Sequence, residues 1–253
     1  MLLRRITQHI QNQNWFAVFL DFIIVVVGVF IGIQVANWNE DRAFDKLERD
    51  YLVQLKDEVA HNQRVTENQI SYVKAVIDAG NRALDFLEND EACTDDCAAL
   101  LVDFFHASQF WGTPRTVTIF NEMERLSLPR DLDTRKSLRR LYRFLGGWES
   151  VNLSPPAYRE QVRGYFSPIA SEALWSKCFY IPDDELEELT FDCIDDLKKV
   201  NVSSMLQRIR QAPDLGNQLR YWIGQNRFAL NELPDARRFA AAAMAAIDKE
   251  LEK

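Results

Sequence analysis

The chain is poor in the residues that most enzyme and metal sites use. Its 253 residues include three histidines, four cysteines and nine glycines. His9, His61 and His106 lie far apart, so the His-Glu-x-x-His motif and other metal-site spacings are absent. His106 would share a helix face with Asp103, but a satisfied core or surface histidine is a more common outcome than a catalytic dyad. The glycines form no nucleophile elbow, phosphate-binding loop or dinucleotide fingerprint. We therefore expect no enzymatic activity, no metal and no cofactor, and the hypothesis of a membrane-anchored enzyme is left without catalytic residues.

Basic residues are fewer than acidic ones, and this imbalance limits the partners. The chain holds 30 Lys and Arg against 38 Asp and Glu, a formal net charge of −8. Residues 1–36 contribute a positive charge, so the remainder is one unit more negative than the whole. An acidic domain is poorly suited to bind nucleic acid or to adhere broadly to anionic lipid. We expect no nucleic-acid partner, and solubility is a sufficient explanation of the charge.

One long apolar run dominates the sequence. Residues 16–36 contain two strongly polar side chains, Asp21 near the start and Gln34 near the end. As a helix this run would reach about 32 Å, close to the ~30 Å hydrocarbon thickness of a bilayer. Trp15 and Trp38 bracket it, as interfacial anchors of membrane-spanning helices often do. We therefore predict a transmembrane helix, with the lipid bilayer as a partner.

A cleaved signal peptide is the competing interpretation of the same run. The apolar core of a signal peptide is about 7–15 residues long and is followed by a small-residue cleavage site. The run here is longer, and Gln34-Val35-Ala36 matches such a site weakly. An uncleaved anchor is favoured.

Glycine and aspartate are unusual features inside the predicted span. Gly28 and Gly32 lie one turn apart and would leave a flat groove for a second helix, although glycine is common in membrane helices. We expect them to mediate self-association or contact with another membrane protein. A carboxylate within a span usually faces protein or water. For Asp21, a position against a protein partner and a hydrated position among the headgroups both remain open.

The numbers of basic residues on the two sides of the span are similar, so they hardly distinguish the two possible orientations of the chain. The cysteines indicate the orientation better. Cys93 and Cys97 are four residues apart, and Cys178 and Cys193 are fifteen apart. Two local disulfides in an oxidising compartment are favoured over unpaired buried thiols and over metal ligands. The preferred topology has the N-terminal tail inside and the large domain outside. For a bacterial protein this means a single-pass inner-membrane protein with a periplasmic C-terminal domain.

Beyond the span the sequence is almost wholly helical in pattern. Residues 38–90 lack proline, contain one glycine and repeat apolar residues at helical spacing. Three polar residues interrupt that repeat: Asn62, Thr66 and Gln69. We predict an all-α fold in which one transmembrane helix continues into a long amphipathic helix and an extracytoplasmic helical bundle. The predicted segments are a cytoplasmic tail at 1–14, the span at 15–37, a stalk helix at 38–90 and a bundle at 91–253, with a sub-boundary near 154–156 at Ser154-Pro155-Pro156.

Local signals predict finer boundaries within the bundle. Asp133 is expected to cap a helix over 134–148. Residues 190–194 form the one expected strand. Pro234 is expected to separate two final helices, at 214–232 and 234–252, because proline disrupts a helix interior.

Five basic residues are concentrated in one predicted helix. Like charges four residues apart are mildly unfavourable, so they require opposite charges nearby. Internal pairing with the acidic residues of 183–196 is favoured, while contact with a protein partner and with anionic lipid headgroups are the alternatives. The five residues are Arg135, Lys136, Arg139, Arg140 and Arg143.

Aromatic residues are frequent between 148 and 180. They could line a ligand pocket, but a packed core is the more common environment for such residues. They are Trp148, Tyr158, Tyr165, Phe166, Trp175, Phe179 and Tyr180.

The span and its exit carry a distinctive pattern, LDFIIVVVGVFIGIQVANWNE at residues 20–40. An acidic residue precedes the apolar run, two glycines follow within it, and the exit reads Gln-x-x-Asn-Trp-Asn. In this pattern the chain resembles an uncharacterised family of bacterial single-span inner-membrane proteins, and residues 118–145 resemble the helix–turn–helix of that family. The resemblance covers about a fifth of the chain. It implies a membrane location and a mostly helical extracytoplasmic domain, and it supplies no catalytic residue or ligand. The residues that carry the span pattern are Asp21, Gly28, Gly32, Gln34, Asn37, Trp38 and Asn39.

Together these features favour a membrane-anchored, non-enzymatic periplasmic interaction or scaffold protein that self-associates. The alternative is a small-ligand-binding or sensing domain that acts through a separate membrane partner.

Overall fold

The computed structural model describes residues 15–89, 92–94, 96–152, 155–182 and 186–253, with the backbone alone at 15, 17, 18 and 148–152. Helix makes up 78% of the structure and strand 2%, which confirms the predicted all-α class. The predicted tail at 1–14 and Ser154 of the predicted sub-boundary lie outside the described residues.

Eight α-helices and one short antiparallel strand pair occur within the described ranges. A 3₁₀ turn at Asp195–Lys199 precedes the last two helices. The strands are β1 (Phe179–Tyr180) and β2 (Glu188–Leu189), in which Phe179 pairs with Leu189 and Tyr180 with Glu188. The helices are α1 (Trp15–Glu88), α2 (Cys97–Ala107), α3 (Thr118–Arg125), α4 (Leu132–Asn152), α5 (Ala157–Arg163), α6 (Pro168–Lys177), α7 (Val202–Arg210) and α8 (Leu215–Leu251).

The chain divides into two compact units, Met1–Tyr51 and Leu52–Lys253. The first unit contains the long apolar N-terminal part of α1. Its 18-residue apolar window is apolar enough to cross a membrane, and none of that window is buried. A membrane span and a signal sequence both have these properties.

The second unit is a helical bundle built around α2. Residues 101–107 of α2 are all buried, so the last two turns of this helix are enclosed on every side. Side chains of α1, α5, α7 and α8 complete the same core. Both the segment before Pro155-Pro156 and the segment after it belong to this unit, and α4 and α5 both pack on α8.

Ion pairs join the second half of α1 to α8 along their lengths, in antiparallel order. Lys56 contacts Asp248 at 2.5 Å, Glu67 binds Arg237, and Glu88 contacts Arg220 at 2.9 Å. The first and last helices of this unit are therefore neighbours in space.

The final helix is continuous, and the predicted break at Pro234 is wrong. Pro234 lies inside α8, which runs for 37 residues. A proline in a helix interior costs about 3 kcal/mol. The buried positions of α8 continue at steps of three and four on both sides of it, and we attribute the continuity to the packing of this stripe. They are Leu215, Leu219, Ile223, Asn226, Ala229, Leu233, Ala236, Ala240, Ala243 and Ile247.

The strand predicted at 190–194 is also wrong, because the extended pairing ends at Leu189. Beyond it, the backbone N–H of Thr190 donates a hydrogen bond to the carbonyl of Cys178 at 3.1 Å. Cys193 is then bonded to Cys178, so the chain turns across the base of the hairpin instead of extending it.

The helix predicted at 134–148 is longer at both ends, since α4 spans Leu132–Asn152 and passes through Gly146 and Gly147. Asp131, rather than Asp133, binds its N-terminal groups. The Oδ1 atom of Asp131 accepts hydrogen bonds from the N–H and the hydroxyl of Thr134, at 2.8 and 2.9 Å.

Candidate functional site

The exposed apolar segment of α1 carries several of the residues singled out in the sequence. A Cβ atom placed on Gly28 or on Gly32 would meet nothing within 4 Å. Asp21 and Gln34 are exposed. Trp38 is 57% exposed, and the guanidinium of Arg42 lies 4.4 Å from its ring centre. The side chain of Trp15 lies outside the described residues. The helix association, interfacial anchoring and intramembrane environment of these residues remain predictions.

All four cysteines are paired as predicted. Cys93 is bonded to Cys97 and Cys178 to Cys193, with Cα atoms 5.7 and 5.3 Å apart. No cysteine is free, so the alternative of unpaired thiols is wrong. The Cys178–Cys193 bridge is buried in the core, whereas Cys93 and Cys97 are half-buried before α2 and at its first residue.

Four of the five basic residues of α4 contact groups other than the acidic residues of 183–196 that the sequence favoured. Arg139 pairs with Glu124 at 2.8 Å, and Lys136 pairs with Asp133 at 3.1 Å. Arg135 donates to the carbonyls of Ser127 and Pro129, Arg140 lies 4.5 Å from the ring centre of Phe239, and Arg143 is exposed. The favoured pairing with 183–196 is wrong for Asp195 and Asp196, which bind Lys198 and Lys199; Asp183, Asp184 and Glu185 lie outside the described residues.

The polar residues that interrupt the apolar repeat of α1 bind the segment leading into α3. The side-chain amide of Asn62 exchanges two hydrogen bonds with the backbone of Thr116, at 2.7 and 2.9 Å. Thr66 and Gln69 both accept hydrogen bonds from the buried guanidinium of Arg115. These interruptions fix the route of the chain between α2 and α3.

Glu58 caps α3 from a different helix. Its carboxylate accepts hydrogen bonds from the backbone N–H groups of Ile119 and Phe120, at 2.7 and 3.1 Å. The hydroxyl of Tyr142 donates a third bond to it at 2.6 Å. Burial raises the pKa of Tyr142, with the hydrogen bond to Glu58 adding to the shift. The N-terminus of α3 therefore depends on a carboxylate from α1.

Asp103 and His106 bind different partners. Asp103 accepts two hydrogen bonds from Arg82, at 2.9 and 2.6 Å. His106 is fully buried, with its Nε2 atom 2.8 Å from the carbonyl oxygen of Thr190. Burial lowers the pKa of His106 to about 4. His106 is therefore a core histidine, but its hydrogen bonding is incomplete, since its buried Nδ1 atom has no hydrogen-bond partner among the described residues.

Two arginines of α5 lie against the C-terminal end of α2. Arg159 donates to the carbonyl of Ser108 at 2.8 Å and to Oε1 of Gln109 at 3.1 Å. The Nε atom of Arg163 donates to the hydroxyl of Ser108 at 2.8 Å. The last carbonyls of a helix carry partial negative charge, so guanidinium groups are favoured there. Trp175 lies over both arginines, 4.6 Å from Arg163 and 5.6 Å from Arg159.

A buried glutamate completes this side of α2. Glu187 accepts a hydrogen bond from the backbone N–H of Gly112 at 3.0 Å. Burial raises the pKa of Glu187, and the bond from Gly112 partly opposes that shift. Burial likewise raises the pKa of Tyr72, which lies on α1, and the charge of Glu187 adds to the effect.

Shifted ionisable groups are therefore concentrated around α2, and such concentrations are typical of functional sites. Sequence patterns drew attention only to His106 and Asp103 among them. Arg159 and Arg163 were missed, although one signal was available. They alternate with the buried Tyr158 and Val162 in a short helix, which places the two arginines at the border of an apolar face.

The aromatic residues between 148 and 180 divide between core and surface. Tyr158 and Phe166 are buried, as expected for a core. Trp175 and Tyr180 remain 40% and 46% exposed. The side chain of Trp148 lies outside the described residues.

Nothing among protein-family models, curated proteins or solved structures matches this chain. The chemistry of this site is therefore inferred from the geometry of the described residues. They contain no group of three or more His, Cys, Asp and Glu side chains that could hold a metal ion. The residues around the C-terminal end of α2, here called the cluster at α2, are Asp103, His106, Arg159, Arg163, Trp175 and Glu187. They place guanidinium donors beside the partly exposed ring of Trp175, an arrangement typical of protein–protein interfaces.

A separate cleft of about 420 Å³ lies between the end of α1 and α7. Phe86 and Cys93 line one side, and Ser203, Gln207 and Arg210 line the other. The guanidinium of Arg210 lies 3.8 Å from the ring centre of Phe86 and donates to its carbonyl at 3.2 Å. The volume is in the range of small-molecule pockets, and the lining is mixed apolar and polar.

Proposed function

We propose that this protein is a single-pass inner-membrane protein whose helical periplasmic domain serves in non-enzymatic protein–protein contact. The observation that carries the proposal is the apolar segment of α1, whose 18-residue window is wholly exposed. Exposing so much contiguous apolar surface to water is unfavourable, and a lipid bilayer would remove it from water. Trp38 and Arg42 at its end suit the interface between lipid and water.

The two disulfides support a periplasmic location for the second unit. Disulfides persist in oxidising compartments and are rare in the cytosol of most organisms. All four cysteines of the chain are paired, although they lie in two separate parts of the unit.

Self-association through Gly28 and Gly32 is part of the same proposal. Both positions leave open space on the helix surface, so a second helix could approach the backbone closely there. A different membrane protein could use the same groove.

A membrane-impermeant maleimide, applied to intact cells with and without reductant, tests the location. Labelling that requires reductant but no lysis would support a periplasmic domain with paired cysteines. Labelling that requires lysis and no reductant would contradict it. The mass of the mature protein separates an anchor from a signal peptide, because cleavage near residue 36 would remove the apolar segment.

A second candidate function is small-ligand binding, favoured by the cleft beside Cys93. A panel of amino acids and small carboxylates, added to the purified full chain, tests it by the change in melting temperature. Ser203→Trp would fill the cleft from an exposed position of α7. A rise in melting temperature that this variant abolishes would favour a sensing role.

A further inference from the structure

Arg159 and Arg163 have partners of a different kind from those of the ion-paired arginines of the bundle. In the part of the chain that the structure describes, neither guanidinium forms an ion pair with a carboxylate. Both instead contact carbonyl, amide and hydroxyl oxygens and aromatic rings. The arginines held in ion pairs include Arg82, Arg125, Arg139, Arg220, Arg237 and Arg238.

The hydrogen bonding of Arg163 is incomplete. Its Nε atom is bound to Ser108, but its Nη2 atom is buried and has no hydrogen-bond acceptor. An unsatisfied buried donor costs free energy, and the cost is larger for a charged group. Burial, together with the positive charge of Arg159, lowers the pKa of Arg163 to about 9. At neutral pH the side chain therefore keeps its charge, although no carboxylate of the described residues contacts it.

Trp175 connects the two guanidiniums to the protein surface. Its ring covers both guanidiniums and packs edge-on against Phe105 at 5.3 Å, yet 40% of the residue is exposed. Tryptophan and arginine are the residues most enriched at the energetic centres of protein–protein interfaces. The planar guanidinium matches the geometry of carboxylate and phosphate groups, and a carboxylate is the one that protein side chains carry without modification.

We propose that Arg159, Arg163 and Trp175 form a docking site for an acidic side chain that a partner protein presents next to an apolar one. The apolar side chain packs on the exposed part of Trp175, and the carboxylate accepts hydrogen bonds from the two guanidiniums. Glu187 lies close enough to Arg159 to act on its charge, but among the described residues neither guanidinium forms an ion pair with a carboxylate. A carboxylate from the partner therefore supplies the direct negative contact that the two arginines lack. This inference rests on the proposed function, and it adds the surface and the chemistry of the partner.

A matched pair of peptides tests the site directly. The probes are N-acetyl-Asp-Phe-amide and N-acetyl-Asn-Phe-amide, which differ only in the carboxylate. Saturation-transfer NMR on the full chain in lipid nanodiscs measures weak binding of both, and the Asn peptide corrects for partition into lipid. We expect the Asp peptide to bind about tenfold more tightly, the difference for one charge-assisted interaction.

Variants show which residues cause the preference for the Asp peptide. Arg163→Gln should abolish the preference for the Asp peptide, and Arg238→Gln, at an exposed arginine paired with Asp235, should leave it unchanged. Arg163→Lys keeps the charge but loses the planar donors, so it should reduce the preference while preserving the fold. Trp175→Ala should weaken binding of both peptides equally.

Equal affinity for the two peptides in the native protein would overturn the inference, and so would an Asp preference that survives Arg163→Gln. Both outcomes are independent of where the protein resides and of whether it self-associates. The labelling experiment in cells decides the location separately.

Discussion

The Oε1 atom of Glu187 occupies the space where a side chain at residue 112 would lie. It is 3.0 Å from the backbone nitrogen of Gly112, and a Cβ atom built on that glycine would lie 2.7 Å from it. A side chain at residue 112 would therefore displace the carboxylate of Glu187, and the contact joins the segment after α2 to the residue before β2.

Replacing Gly112 with alanine should destabilise the domain by about 1–3 kcal/mol, because Glu187 must move and lose its hydrogen bond. Urea unfolding measures the change. Gly146→Ala is the matched control, since a Cβ there meets nothing within 4 Å on α4. The control should stabilise the domain by up to about 1 kcal/mol. A similar effect at both positions would contradict the role of Glu187.

The cap that Glu58 provides to α3 gives a second prediction. Glu58→Ala should cost about 2–4 kcal/mol, because the N–H groups of Ile119 and Phe120 lose a charged acceptor. Glu67→Ala removes an acid from the same helix, but one that is exposed and paired with Arg237. Its cost should stay below about 1 kcal/mol. Chemical denaturation of both variants tests the difference, and equal costs would argue against capping by Glu58.

His106 should make stability depend on pH. The pKa of His106 is about 4 in the folded protein because of burial, against 6.5 for an exposed histidine. Between these values the unfolded chain binds a proton that the folded chain excludes, so stability falls as the pH is lowered from 6.5 to about 4. The loss attributable to His106 should reach about 3 kcal/mol at the acid end.

Unfolding free energies of the native protein and of His106→Gln, measured from about pH 4.5 to about pH 7.5, check this prediction. The variant should lose that part of the acid dependence, whereas His61→Gln, at a half-exposed position of α1, should retain it. Asp103 and Glu187 also titrate, but burial raises their pKa values, so their contributions have the opposite sign. Parallel curves for the native protein and His106→Gln would disprove the assignment.

The two disulfides should differ in accessibility and in contribution to stability. Dithiothreitol should reduce Cys93–Cys97 first in the folded protein, because Cys178–Cys193 is buried. Mass spectrometry after timed alkylation gives the order. Replacing Cys178 and Cys193 with alanine should cost about 3 kcal/mol, against about 2 kcal/mol for the shorter loop closed by Cys93 and Cys97. Reduction of the buried pair first would contradict this.

Self-association of the span should depend on small residues. Replacing Gly28 and Gly32 with leucine should weaken the signal of a membrane dimerisation reporter, because the added side chains fill the groove. Leucine at Val26 and Phe30 is the matched control, since both positions are two residues from a glycine and therefore on the opposite side of the helix. An unchanged signal for the glycine variant would remove this part of the proposal.

Local pattern was sufficient to predict the helical class and the cysteine pairs. The apolar repeat of α1 is visible within a few turns, and each disulfide joins residues no more than fifteen apart. Pro234 shows the limit of such reasoning. Its intrinsic cost predicts a break, and only the buried stripe that continues on both sides of it explains why α8 does not end there.

The cluster at α2 could not be predicted in the same way, because its contacts are distant in sequence. Arg159 and Ser108 are 51 residues apart, and His106 and Thr190 are 84 apart. Asn62 illustrates the same point at α3. In the sequence Asn62 only interrupts an apolar repeat. The structure shows its role, which is to form two hydrogen bonds with the backbone of Thr116.

The pairing of α1 with α8 has a consequence for biosynthesis. Lys56 and Asp248 are 192 residues apart, and Arg220 and Glu88 are 132 apart. Translation proceeds at about 5–20 residues per second, so the apolar face of α1 would remain uncovered for on the order of 10 s until α8 has been synthesised. We expect the nascent domain to need a holding chaperone during that interval, and a premature stop codon within α8 to send the chain to proteolysis.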